Sequence, residues 1–164
     1  MNKIVILTGS NLGNPEIMLS SAAKELSNNF GLSLVNSPMV SSPPWGFNHP
    51  NDFLNQVLVF ETTKSALECL QICLETEKKL GRTRGVNPGY SARLIDIDIL
   101  FYNSEIIKTE ELCIPHPKIH ERRFTLFPLS LVIPEFVHPV LNKSISELLK
   151  ECIDESIVKL KSCS

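Results

Sequence analysis

No stretch of 18 apolar residues occurs in this chain, so none of it is long and apolar enough to cross a bilayer as a helix. The start, Met1-Asn2-Lys3 and then a short strand-like apolar run to Gly9, lacks the layout of a signal peptide. There is no Cys-x-x-Cys. The five cysteines (Cys69, Cys73, Cys113, Cys152, Cys163) are odd in number, and Cys69 and Cys73, four apart on an expected helix, suit packing as small apolar residues. A reducing, cytoplasmic location is the expectation. The four histidines have no paired spacing and are remote from the cysteines, which argues against zinc. Both glycine-rich phosphate fingerprints are missing: Gly9-Ser10-Asn11-Leu12-Gly13 opens toward a helix but has neither Gly-x-x-x-x-Gly-Lys-Ser/Thr nor Gly-x-Gly-x-x-Gly. A formal net charge of -2 exerts no general pull on nucleic acid. No membrane or nucleic-acid partner is expected, and the expected state is a monomer.

What remains is ordinary in bulk and specific in detail. With 164 residues, 43% hydrophobic and 21% charged, the chain fits one soluble domain over 1–164. Residues 3–8 read as a buried strand. Pro15 opens a helix to about Asn29, which Gly31 closes. Residues 32–42 read as a second strand, broken by Pro43-Pro44, and 53–62 as a third. Ser65, with Glu68 in the capping-box position, starts a helix to Leu80, stopped by Gly81. After a glycine- and proline-bearing loop, 83–92, comes a strand over 95–102. The order β-α-β-β-α-β predicts an α+β, ferredoxin-like fold, an antiparallel sheet with two packed helices. A C-terminal hairpin (105–107 with 111–114) and helices near 121–132 and 144–152 extend it. The tail, 153–164, is weakly patterned and expected to fray.

The fourth strand holds the most telling feature. In Arg93-Leu94-Ile95-Asp96-Ile97-Asp98-Ile99, strand alternation turns Asp96 and Asp98 to the same side, roughly 6–7 Å apart. Two adjacent carboxylates repel unless a cation lies between them, and a hard divalent ion completed by water or phosphate oxygens suits them. All five arginines (Arg82, Arg84, Arg93, Arg122, Arg123) fall between positions 82 and 123, whereas lysine is spread over the whole chain. Arginine suits planar, bidentate phosphate recognition. Together these features point to a polyphosphate.

The remaining candidates lie on loops and strand ends. Pro43-Pro44-Trp45-Gly46 is stiff and bears the only tryptophan, either a plug at the core edge or part of a site. Asn55 shares a strand face with Phe53, and an amide beside an aromatic suits the edge of a flat heteroaromatic ligand. Phe124 is a second ring able to cover such a ligand. Tyr90 is either a lid residue or a solvent-lapped aromatic. His116, between Pro115 and Pro117, suits a phosphate contact, whereas His120 and His138 read as surface residues.

Taken in order, these segments resemble the 6-hydroxymethyl-7,8-dihydropterin pyrophosphokinase family of folate biosynthesis. The matching residues are Gly9-Ser10-Asn11, Ser42-Pro43-Pro44-Trp45-Gly46, Phe53-Leu54-Asn55 and Glu77 with Gly81-Arg82-x-Arg84. Arg93-x-x-Asp96-x-Asp98, Pro115-His116-Pro117, Arg122-x-Phe124 and Pro128-Leu129 complete the set. The resemblance implies transfer of the terminal pyrophosphoryl group of ATP to the pterin hydroxymethyl oxygen, releasing AMP. It implies that Asp96 and Asp98 hold two Mg²⁺ ions and that Arg82, Arg84, Arg93, Ile99, His116 and Arg122 bind ATP, with Arg82 and Arg93 nearest the reaction. It also implies a pterin site of Gly9, Ser42, Pro43, Pro44, Trp45, Phe53, Asn55, Asp96 and Phe124 under a lid bearing Tyr90. Tyr90, Pro117, Leu74 and Cys113 stand where members of the family often carry tryptophan, tyrosine, glutamine and threonine. Two rivals differ in class. A two-metal nucleotidyltransferase also uses Asp-x-Asp, but Gly9-Ser10 is far upstream of the aspartates. An RNA-recognition module shares the element order, but here the strand that should carry aromatics carries aspartates.

Overall fold

The computed structural model describes residues 1–81 and 94–161. Its frame is β1 (Asn2–Ser10), α1 (Pro15–Phe30), β2 (Val35–Asn36), β3 (Val40–Ser42), β4 (Phe53–Thr62), α2 (Ala66–Lys79) and β5 (Asp96–Tyr102). Then follow β6 (Ile107–Lys108), β7 (Cys113–Ile114), a 3₁₀ turn (Ile119–Glu121), α3 (Arg123–Val132), α4 (Ile145–Glu151) and β8 (Lys159–Leu160). The main sheet runs β5-β1-β4-β3-β8 with β2 also on β4, and every pairing in it is antiparallel. β6 and β7 form a separate hairpin.

Local chemistry explains the helix ends. Asn14 caps α1, its side-chain oxygen accepting from Ile17 N at 3.2 Å, with Pro15 in the first turn. At α2 the Ser65–Glu68 capping box is complete, with Ser65 Oγ accepting from Glu68 N and Glu68 Oε2 accepting from Ser65 N. The single strand expected over 32–42 is instead two short ones. Pro38 has no N–H to give a ladder, and Ser37 bridges the gap, its Oγ accepting from Val57 N at 2.9 Å.

Because the sheet is covered on both faces, β1 reads as a continuous apolar run. Ile4 and Ile6 pack with Leu19, Leu26, Leu58 and Phe60 under α1 and α2. Val5 and Leu7 pack with Val57, Val59, Leu126, Leu129 and Leu148 under α3 and α4. The C-terminal extension is therefore a second cover rather than an appendage. Cys69 and Cys73 are fully buried in the first cluster, and burial pushes the Cys69 thiol up to about 11, so both are inert packing groups.

Two expectations are corrected. The tail does not fray over its described length, because Leu160 and Lys159 pair with Val40 and Ser41 of β3. His138 is buried rather than superficial: its Nδ1 accepts from Val140 N and Leu141 N, and its ring stands edge-on to Phe101 at 5.6 Å. The imidazole is a structural acceptor that closes the turn before α4, a role its surroundings in the chain do not announce. His120, by contrast, is exposed as expected.

Candidate active site

Register assembles the site at one end of the sheet. Gly9 pairs with Asp96 on one side and Asn55 on the other, and Asn55 pairs with Val40. These four residues form a row across β5, β1, β4 and β3. Two positions along, on the same face, Ser42 pairs with Phe53; two positions the other way Leu7 lies between Asp98 and Val57. Alternation turns Asp96, Asp98, Leu7, Gly9, Phe53 and Asn55 toward the face covered by α3 and α4. Beyond the edge of that cover, the face opens into a cleft of about 370 Å³. This lies within the range of small-molecule sites.

Gly9 is required by close approach. A Cβ there would lie 2.9 Å from Asn55 Oδ1, with the Phe53 ring also within 4 Å. The absent side chain leaves the floor of the cleft open between the aspartate pair and Asn55. Asn55 is 2% exposed and its Nδ2 donates to Ser42 Oγ at 2.9 Å, so two expected polar residues are joined and held in one orientation.

Opposite the sheet, the residues that lead into α3 form the other wall. Arg122 is buried, with its guanidinium 4.7 Å from the Trp45 ring centroid and 5.5 Å from that of Phe124. Trp45 is thus a half-buried cleft wall rather than a plug in the core. Phe47 and Lys118 also line the cleft and were not singled out in the sequence. Phe47 stands edge-on to Phe53, with ring centroids 6.0 Å apart. Its only signal was a place in the long loop 43–52, where nothing local distinguishes a wall ring from an exposed one.

His116 has a defined chemical state. Its Nδ1 accepts from Lys118 N at 3.1 Å, which puts the proton of the neutral ring on Nε2 and makes that atom a donor. Burial, reinforced by the Arg122 charge and only partly opposed by Asp96, pushes its pKa down to about 4. The unfolded chain takes up this proton near pH 6.5 and the folded chain only near 4. His116 therefore contributes stability above 6.5 that is lost as pH falls through that window. The loss is on the order of 3 kcal/mol by pH 4, and His116→Gln should flatten the difference between urea midpoints at pH 7 and pH 5.

Glu77 is the other residue whose importance is structural and not visible locally. From α2, 3% exposed, its Oε2 accepts from Ile97 N at 2.8 Å. That N–H lies between Asp96 and Asp98, on the side of β5 away from β1. The carboxylate thus anchors the backbone of the aspartate-bearing strand.

Not every expected site residue reaches the cleft. Gly9, Ser42, Pro43, Trp45, Phe53, Asn55, Asp96, Asp98, His116, Arg122 and Phe124 do. Pro44 does not line it. The side chain of Ile99 is 5% exposed and points into the core under α1 and α2, because it alternates with Asp98. Arg82, Arg84, Tyr90 and Arg93 lie outside the described residues. Among the described residues no three His, Cys, Asp or Glu side chains converge as a closed metal cage. Two carboxylates on an open face instead suit a Mg²⁺ site that leaves positions for substrate oxygens.

Comparison with known proteins gives consistent matches over most of the chain. The family model described as 7,8-dihydro-6-hydroxymethylpterin-pyrophosphokinase (HPPK) matches residues 5–134. A Porphyromonas gingivalis 2-amino-4-hydroxy-6-hydroxymethyldihydropteridine pyrophosphokinase is 38% identical over 138 residues, covering 83% of this chain and 93% of the relative. The Bacillus subtilis enzyme of the same name is 37% identical over 132 residues, covering 79% and 78%. The folic acid synthesis protein fol1 of Pneumocystis carinii is 35% identical over 154 residues, but the match spans only 20% of that longer protein. Among solved structures, Plasmodium falciparum HPPK-DHPS with pteroate superposes with a TM-score of 0.74 at 18% identity. The match covers 92% of this chain and 42% of that one, and at this identity it speaks for the fold alone. With its matched region containing the whole cleft, the chain belongs to the 7,8-dihydro-6-hydroxymethylpterin-pyrophosphokinase family.

Proposed function

We propose that this protein transfers the terminal pyrophosphoryl group of ATP to the hydroxymethyl oxygen of 6-hydroxymethyl-7,8-dihydropterin, a step of folate synthesis. The core, with β3 and β4 between its two helices and the order β5-β1-β4-β3, is read here as ferredoxin-like. One observation carries the functional reading: a carboxylate pair and an aromatic slot with a fixed amide open into the same cleft. The first suits a metal-bound polyphosphate, and the second a flat heteroaromatic ring.

Phe53 and Phe124 would cover the pterin faces, with Asn55 and the 42–45 backbone meeting its edge. Gly9 leaves the floor low enough for the ring to lie between Asn55 and Asp96. The hydroxymethyl oxygen would attack the β-phosphorus and release its proton to water, the bond from that phosphorus to the α-phosphate oxygen would break, and AMP would leave. Asp96 and Asp98 would hold Mg²⁺, whose contribution is charge neutralisation on the phosphate oxygens. Arg82 and Arg93 would act beside the reacting phosphorus, Arg84 and Arg122 on other phosphate oxygens, and Tyr90 in a lid. His116, neutral with Nε2–H free to donate to a phosphate oxygen, would serve as a hydrogen-bond donor and not as the base.

The test is product identity. With ATP, Mg²⁺ and the hydroxymethyl-dihydropterin, AMP should form; without the pterin, or with excess EDTA, it should not. Release of pyrophosphate would favour the nucleotidyltransferase reading, and release of ADP would overturn both. Undiminished turnover in EDTA would remove the metal from the proposal.

A further inference from the structure

The C-terminal segment bonds to the chain immediately beside both walls of the cleft without lining it. At one end Asp154 Oδ2 accepts from Arg123 N at 3.0 Å, and Arg123 Nε donates to Asp154 O at 2.9 Å. Arg123 lies between Arg122, the N-cap of α3, and Phe124 in its first turn, both of which line the cleft. At the other end β8 pairs with β3, the strand that carries Ser42, and Lys161 N donates to Met39 O at 3.0 Å. Lys161 Nζ also pairs with Glu16 of α1. Only four residues link Asp154 to Lys159, at most about 17 Å of chain from Cα to Cα.

Burial of apolar side chains does not account for the path of this segment. Ile153, Ile157 and Leu160 are 85%, 78% and 52% exposed. Its order comes from polar contacts: Ser156 N donates to Asp154 Oδ1 at 3.0 Å, and Ser156 Oγ donates to the same oxygen. Burial opposes the charge on Asp154, but these bonds and those from Arg123 outweigh it and hold the carboxyl below its usual range.

We propose that residues 154–161 are a brace that sets the spacing between the Arg122–Phe124 wall and the Ser42–Trp45 wall, with Asp154 as its positioning residue. The identity of the ligand, though not the brace itself, rests on the pterin reading above. Positioning of this kind matters because misplacement of a binding wall by about 1 Å from a distant change can cost up to about a hundredfold.

The single tryptophan, Trp45, stands in one wall and against Arg122 of the other, so its fluorescence reports the spacing without any assay of activity. In Asp154→Ala, acrylamide should quench Trp45 more strongly, KM for the hydroxymethyl-dihydropterin should rise about tenfold, and KM for ATP, which shares Arg122 on the displaced wall, should rise clearly less. Asp154→Asn, which keeps one acceptor oxygen, should recover part of the loss. Lys161→Pro, which removes the bond to Met39 O at the far end, should shift the same two readouts. If Asp154→Ala fails to fold, Ser156→Ala keeps the Arg123 contacts and should show the same shifts, reduced. Unchanged quenching and pterin KM in the folded variants would overturn the brace, as would equal rises in both KM values. An inactive wild-type protein would instead overturn the pterin reading, with Trp45 quenching still deciding the brace.

Discussion

Asp98→Ala should lower the rate of AMP formation by about three orders of magnitude or more, even at saturating Mg²⁺, while the protein stays folded. The size follows from the several kcal/mol that metal-assisted neutralisation contributes to phosphoryl-type transfer. Asp96→Ala should be as damaging to turnover but should differ in binding. Asp96 is in the same row as Gly9 and Asn55, whereas Asp98 is beside Leu7. Loss of Asp96 should therefore weaken pterin binding as well, and loss of Asp98 should leave it nearly intact when measured without ATP. Turnover against Mg²⁺ concentration, with calorimetry of pterin binding, separates the two. Full activity in either variant would sink the metal assignment.

Asn55→Ala should weaken binding of the hydroxymethyl-dihydropterin by roughly ten- to a hundredfold, equivalent to about 1–3 kcal/mol. Two effects add. The ligand's polar edge loses its partner, and Ser42 Oγ loses the amide that donates to it at 2.9 Å. Phe124→Ala should weaken the same ligand through lost stacking. ATP affinity measured alone should hardly change in either variant. Calorimetry that found ATP and pterin equally weakened would indicate a folding defect instead of a pterin slot.

Much of this was legible because it is local. The helix starts at Pro15 and at Ser65 depend on residues within one turn. The common orientation of Asp96 and Asp98, and of Phe53 and Asn55, needs only the two-residue period of a strand. The same period, applied one residue on, turns the side chain of Ile99 into the core. Where local reasoning failed, the deciding partner was remote in the chain. Ser37 finds Val57 across the break that Pro38 makes in the second strand, and His138 is buried with its ring against Phe101.

By itself, the order of residues determined the two long helices and the three long strands, which side chains share a strand face, and that a carboxylate pair sits amid the chain's arginines. These follow from periodicity, capping and composition, which act over a few residues. Only the tertiary structure decided that Gly9 lies between Asp96 and Asn55, and that α3 covers the second sheet face and supplies a wall of the cleft. It alone decided that Glu77 anchors the aspartate strand and that the tail joins β3 rather than fraying. Each is a contact between residues 20 or more positions apart, up to the 120 that separate Val40 from Leu160. Such contacts are selected by cross-strand register and by the burial of whole faces, and no short stretch of sequence carries that information.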